Sequence, residues 1–259
     1  MIAVTEATVL ELLASWMWPF MRIAGFAMTA PVIGTRAVPM RIRLIFALSL
    51  TGVLAPVVAP TAGIDPLAAE GLLTGAHQIV VGATIGLVMR LLFFVFEFAG
   101  QVVAQQMGLG FASLIDPQTG AQVPVLAQFY IILATLLFFV MDAHLALIAL
   151  LAESFEVLPI GPAGITQAGA GIVIEWSADL IATSLLLGLP ILVALLAINF
   201  GLGVMARAAP QLNIFAVGFP VMIFFGVILV FLSLDSLPVV ARSLFVSALE
   251  TIRLVLAAP

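Results

Sequence analysis

Six apolar runs set the terms for this chain: residues 9–32, 44–59, 72–98, 125–151, 178–204 and 214–234. Most approach or exceed the roughly 20 residues that a helix needs to cross a bilayer. None alternates polar and apolar side chains, as the strands of a membrane barrel do. Helices, which satisfy their own backbone in lipid, are therefore expected throughout. The remaining residues cannot coat a globule in water. Only 8% of the 259 residues are charged and 64% are apolar, against about 25% and about 45–50% in soluble domains. An ordinary soluble enzyme is excluded, and so is a disordered chain, which needs low hydrophobicity.

The rare polar residue types narrow the chemistry. There is no cysteine and only two histidines, His77 and His144. Disulfides, thiolate metal sites and a cysteine nucleophile are ruled out. The eight basic residues are all arginine and face thirteen acids, for a net charge of −5. That leaves no basic footprint for nucleic acid. No phosphate-binding GxxxxGK[ST] loop occurs, and no cofactor is expected. Glu6 and Glu11 precede the first apolar run and the first basic residue is Arg22. A signal peptide has the opposite order, so the N-terminus is expected to be retained.

The runs are irregular. Run 44–59 reaches only about 24 Å as a helix. Pro19 and Arg22 are expected to break the first run, and Asp142 and His144 sit inside the fourth. Gly188-Leu189-Pro190 and Gly218-Phe219-Pro220 mark bends in the last two, because proline kinks a helix. Arg36, Arg41 and Arg43 lie in the first connection and Arg207 in the fifth; the second and fourth carry only acids. By the positive-inside rule the odd connections face the cytoplasm. The tail 239–256 carries Ser243, Ser247, Glu250 and Thr251 on one side. Leu244, Phe245, Ala248, Leu249, Ile252, Val255 and Leu256 line the other. Such a helix lies on a membrane surface, docks on a partner, or packs as an ordinary terminal helix.

Four features carry functional expectations. Gly75, Gly82, Gly86, Arg90 and Glu97 are spaced by 7, 4, 4 and 7, which places them within roughly 80° of one another on a helix. Gly82 and Gly86 make a GxxxG pair that admits a second backbone. The stripe suits either a seam with another subunit or a face buried in the chain's own bundle. Segment 100–124 is neither a span nor a polar loop. It holds Gln106, Gly108, Gly110, Gly120 and an Asp116-Pro117 turn beside apolar Met107, Leu109, Phe111, Leu114 and Ile115. Irregular backbone at membrane depth is tolerated within protein or along a cavity, so this segment reads as a constriction or as a tight connection. Asp142 and His144 suggest a proton relay or, preferably, a helix break with Asp142 capping the next helix. In 205–220, Arg207, Gln211 and Asn213 lie between Pro210 and Pro220, a turn with hydrogen-bonding side chains and nothing catalytic.

These last three segments resemble the FliR family of flagellar type III secretion export-gate proteins. Gln106-x-Gly108-x-x-x-Ala112-x-x-x-Asp116-Pro117 with Pro124 is similar to the family's central loop. Asp142-x-His144, then Ala152-Glu153-Ser154-Phe155 and Pro159, resembles its next block. Ala206-Arg207-x-x-Pro210-Gln211-Leu212-Asn213-Ile214-Phe215 with Gly218-Phe219-Pro220 resembles its most recognisable one. The likeness spans nearly the whole chain. One departure is Ala143, where the family commonly has glycine. The injectisome relatives share the Pro-Gln-Leu-Asn core, and the continuation here is the more flagellar one.

The resemblance implies an all-α fold of kinked helical hairpins, like a fusion of FliP and FliQ, packed in a helical ring around an export channel. One domain, 1–259, would comprise hairpins to residue 237 and an amphipathic tail over 238–259. The loop at about 105–124, including Gln106, Met107, Gly108, Gly110, Phe111, Asp116 and Pro117, would plug the channel. Arg207, Pro210, Gln211 and Asn213 would brace a hairpin junction. The implied partners are FliP, FliQ, FlhB, FlhA, unfolded flagellar substrates and membrane lipid, at the basal body in the bacterial inner membrane. A stand-alone proton-coupled transporter is the rival reading, resting on Arg22, Arg90, Glu97 and Asp142 within apolar runs. For an intramembrane hydrolase, Asp142 and His144 could form only half a site.

Overall fold

A computed structural model describes residues 6–58, 64–66, 68–109, 125–209 and 214–259, with side chains described for these except 6–14 and 214–216. The described residues form α-helices and no strand. In chain order the helices are α1 (Glu6–Thr29), α2 (Met40–Leu54), α3 (Ala69–Gln106), α4 (Val125–Val140), α5 (Ala143–Val157), α6 (Gln167–Ala208), α7 (Ile214–Ser233) and α8 (Leu237–Ala257). A single 3₁₀ turn, Leu234–Ser236, joins α7 to α8. The all-α expectation holds. Helix α3, helix α6 and the stretch Val217–Ala257 are each long and apolar enough to cross a bilayer.

Several boundaries differ from the apolar runs. Pro19 and Arg22 do not break the first helix, because α1 is continuous through both. Helix α3 continues past Phe98 to Gln106; its glutamines are good helix formers even where they end an apolar run. The fourth run does divide at Asp142, whose backbone is left-handed (φ 53°). Its carboxylate makes no capping hydrogen bond, so the expected side-chain cap is corrected to a backbone break. The carbonyl of Asp142 instead accepts from the amides of Leu145 and Ala146 at 3.0 and 3.1 Å.

The chain gathers into two compact units. The first comprises Met1–Leu92, Asp142–Ser177 and Phe245–Pro259, and the second Phe93–Met141 and Ala178–Leu244. Within the first, Ile23 and Phe26 of α1, Val81, Ile85 and Met89 of α3, Leu150 and Leu151 of α5, and Ala248 and Ile252 of α8 are buried. Helices α1 and α3 touch backbone to backbone. A Cβ on Gly82 would fall on the carbonyl of Arg22, and one on Gly25 would fall on that of Ile79. Thr29 adds a hydrogen bond from its hydroxyl to the Ala83 carbonyl at 2.9 Å. Lipid offers no hydrophobic drive between helices, so close small-residue packing and such hydrogen bonds supply the attraction.

The amphipathic tail is α8, and most of its apolar stripe is buried within the chain. Thr251, expected on the polar side, is buried as well and donates to the Ser247 carbonyl at 2.8 Å. In the second unit, α4 buries Ala127, Tyr130, Ala134 and Phe138, which recur at intervals of 3, 4 and 4 along one face. Ala127 lies against Gly100 of α3, where a Cβ would sit 2.8 Å from the Ala127 Cα. Phe93 and Phe138 meet edge to face at 5.5 Å.

Candidate functional site

The candidate channel loop begins where α3 ends, and the ending is built from the backbone. Gly108 has φ 81°. Its amide donates to the Gln105 carbonyl at 3.0 Å, and the Leu109 amide donates to the Ala104 carbonyl at 3.0 Å. This pair of bonds, with a left-handed glycine just past the cap, is a Schellman stop. An L-residue side chain there costs about 1–2 kcal/mol. Met107, 1% exposed, is pressed against α7. A Cβ on Gly226 would come within 2.5–2.6 Å of three atoms of its side chain, so only glycine leaves room for Met107.

A cavity of about 540 Å³ opens beside this stop. It is lined by Gln105, Gln106, Met107 and Gly108, by Asn199 and Gly203 of α6, and by Phe219 and Met222 of α7. Three amide side chains on an otherwise apolar wall suit hydrogen bonding to peptide groups and no covalent chemistry. Gly110, Phe111, Asp116 and Pro117 of the expected plug lie outside the described residues, as do Pro210, Gln211 and Asn213 of the expected junction. Arg207 is described and exposed in the last turn of α6.

The five-residue stripe on α3 divides. Gly75 faces Met21 and Trp18, Gly82 faces Arg22, and Gly86 faces Thr29 and Ala30, all on α1. The close approach that the glycine spacing admits is thus made inside the chain at these three positions, the second of the two readings the stripe allowed. Arg90 is exposed and Glu97 half-buried, so the two charged members remain open to a neighbour.

Arg22, which the sequence shows only as a charge within an apolar run, is the best-braced polar group among the described residues. Arg22 is fully buried. Its Nε donates to Gln78 Oε1 at 2.8 Å. Nη1 donates to the Ser154 carbonyl at 2.7 Å and to Ser154 Oγ at 3.1 Å. Nη2 donates to the Leu158 carbonyl at 2.8 Å. The Phe155 ring lies 4.2 Å from the guanidinium carbon, within cation–π range. No carboxylate pairs with Arg22 among the described residues. Its countercharge is the C-terminal end of α5, where the terminal carbonyls and the helix dipole are negative. An arginine in an apolar run with Gln78 and Ser154 elsewhere was the available signal, but only the fold brings the three together.

No cluster of three metal-ligating side chains occurs among the described residues. The polar groups brace helix ends, and the apolar faces of α2, α6 and α7 lie largely exposed. These features define a helical membrane protein. The chain matches the family described as bacterial export proteins, family 1, over residues 13–248. It is 38% identical over 232 residues to the flagellar biosynthetic protein FliR of Pectobacterium carotovorum, covering 90% of this chain and 88% of that one. It is 34% identical to FliR of Escherichia coli over 227 residues, 88% and 87% of the two chains. FliR of Bacillus subtilis is 30% identical over 256 residues, 96% and 97%. The chain belongs to this FliR family of bacterial export proteins, a structural family without enzymatic activity.

Proposed function

We propose that the chain is a structural subunit of the flagellar type III export gate. With FliP and FliQ it encloses the channel through which unfolded flagellar proteins pass, in the inner membrane at the basal body, next to FlhB and FlhA. The observation that carries this reading is the match to flagellar FliR proteins along about nine-tenths of the chain. The segment at about 105–124 plugs the closed channel, starting from the glycine stop at Gly108 and the seated Met107. Arg207, Pro210, Gln211 and Asn213 brace the junction between α6 and α7, while Arg90 and Glu97 face a neighbouring subunit.

The transporter reading loses its main support in the geometry. Arg22 is consumed by helix carbonyls, and Asp142 and Arg90 are exposed. The plug is tested by deleting residues 108–120 in the assembled complex and measuring ion conductance in planar bilayers. The deleted complex should assemble and conduct well above the parent. Equal conductance removes the plug assignment.

A further inference from the structure

We propose that Arg36 and Arg41, together with the outward face of α2, form a binding site for an anionic phospholipid. Helix α2 packs on its own chain through small residues: Ala47 and Thr51 are buried, followed by Ala55 just past its end. About a quarter turn round the helix from these, on an exposed side, Arg41, Ile45, Leu48 and Gly52 recur at intervals of 4, 3 and 4, one continuous stripe of a helix. Ile45 and Leu48 are 63% and 53% exposed, and a Cβ on Gly52 would meet nothing within 4 Å. The stripe is therefore a cationic head above an apolar strip with a shallow gap at its foot. From Arg41 to Gly52 it runs about 16 Å, close to the depth of one leaflet of a hydrocarbon core about 30 Å thick. The helix is too short to cross, so its uncovered face matches one acyl layer and its arginine end reaches the headgroups.

The head of the site is held in place. Arg43 donates to the carbonyls of Thr35 and Val38, and the Val38 amide donates to Thr35 at 3.1 Å. The turn before α2 is tight, with Val32 left-handed at φ 66° and the Gly34 amide bonded to Ala30 at 2.8 Å. Arg43 is consumed by this brace, whereas Arg36 and Arg41 are exposed and form no ion pair among the described residues. No acidic residue occurs between Glu11 and Asp65 in the sequence. The two free guanidiniums call for an external anion, and the apolar strip below them calls for one with acyl chains. Arginine's planar donors suit a phosphate.

The test uses the full chain, copurified with its associated hydrophobic export subunits, in nanodiscs of phosphatidylcholine with a minor fraction of phosphatidylglycerol, and native mass spectrometry of the lipids it retains. The parent should keep phosphatidylglycerol in preference. Arg41→Gln should lower that preference about fivefold, as should Arg36→Gln, which corresponds to about 1 kcal/mol per basic residue at an anionic surface. Arg41→Lys should retain most of it, and Leu48→Gln should shorten lipid retention. Helix content by circular dichroism separates misfolding from lost binding, and Arg41→Lys against Arg41→Gln decides the case if the double variant does not fold. An unchanged preference in the folded Arg36→Gln/Arg41→Gln variant overturns the site. So does full displacement of the lipid by soluble glycerol phosphate, which would mark a simple anion site. Variants that keep the lipid but shed associated export subunits would show that the arginines face acidic protein instead.

Discussion

Arg22 shows how a charge is carried through an apolar interior without a counterion. A guanidinium presents donors in a fixed fork, and here they go to one amide oxygen, one hydroxyl and two helix-terminal carbonyls. The Ser154 hydroxyl is used twice, since it also donates to the Leu151 carbonyl at 2.6 Å. Lysine at 22 would keep the charge but lose the fork. We expect Arg22→Lys to lose about 1–3 kcal/mol, the cost of leaving a buried polar group unsatisfied, and Arg22→Ala to lose at least as much. Thermal unfolding in detergent, followed by circular dichroism, checks this; equal midpoints for parent and variants would contradict the clamp. The surface pair Arg253–Glu153, at 3.0 Å between exposed side chains, should by contrast contribute little, because solvent screens it.

Glycine at the crossing of α1 and α3 acts at the scale of the element. Gly82→Leu should strongly destabilise the isolated chain, because the new side chain meets the Arg22 backbone and neither helix can move without opening the Arg22 clamp. Gly52→Leu on α2 meets open space and should be nearly neutral. Comparing the two in the single chain, before any assembly, distinguishes an intrachain crossing from a subunit seam; equal stability would contradict the crossing. Much of this level was legible in the sequence. Apolar runs gave the helices, and the Gly82/Gly86 spacing gave a close backbone contact. What the spacing could not give was the partner, because GxxxG has the same meaning whether the second helix is in the same chain or another. Thr251 was misplaced for a related reason: a hydroxyl bonded to its own helix is apolar in effect. The end of α3 was legible only as a glycine-rich stretch; the stop at Gly108 needed the two backbone bonds to define it.

For the whole molecule, the governing fact is apolar surface that the chain does not cover itself. Leu186, Val193, Leu196 and Phe200 of α6 and Phe224, Val227 and Phe231 of α7 stand between 54% and 76% exposed. Lipid or other apolar subunits must take them. Expressed alone and extracted in mild detergent, the chain should aggregate on detergent dilution. Co-expressed with the other hydrophobic export subunits, it should copurify with them as a discrete particle; a well-behaved lone monomer by light scattering would contradict this. The Arg22 clamp also bears on how the chain is made. Its acceptors at 154 and 158 lie 132 and 136 positions downstream. At synthesis rates of about 5–20 residues per second, the guanidinium waits about 7–27 s for them. The first helix therefore stays without its clamp until the fifth has emerged from the ribosome, so the two ends of this contact are joined late in synthesis.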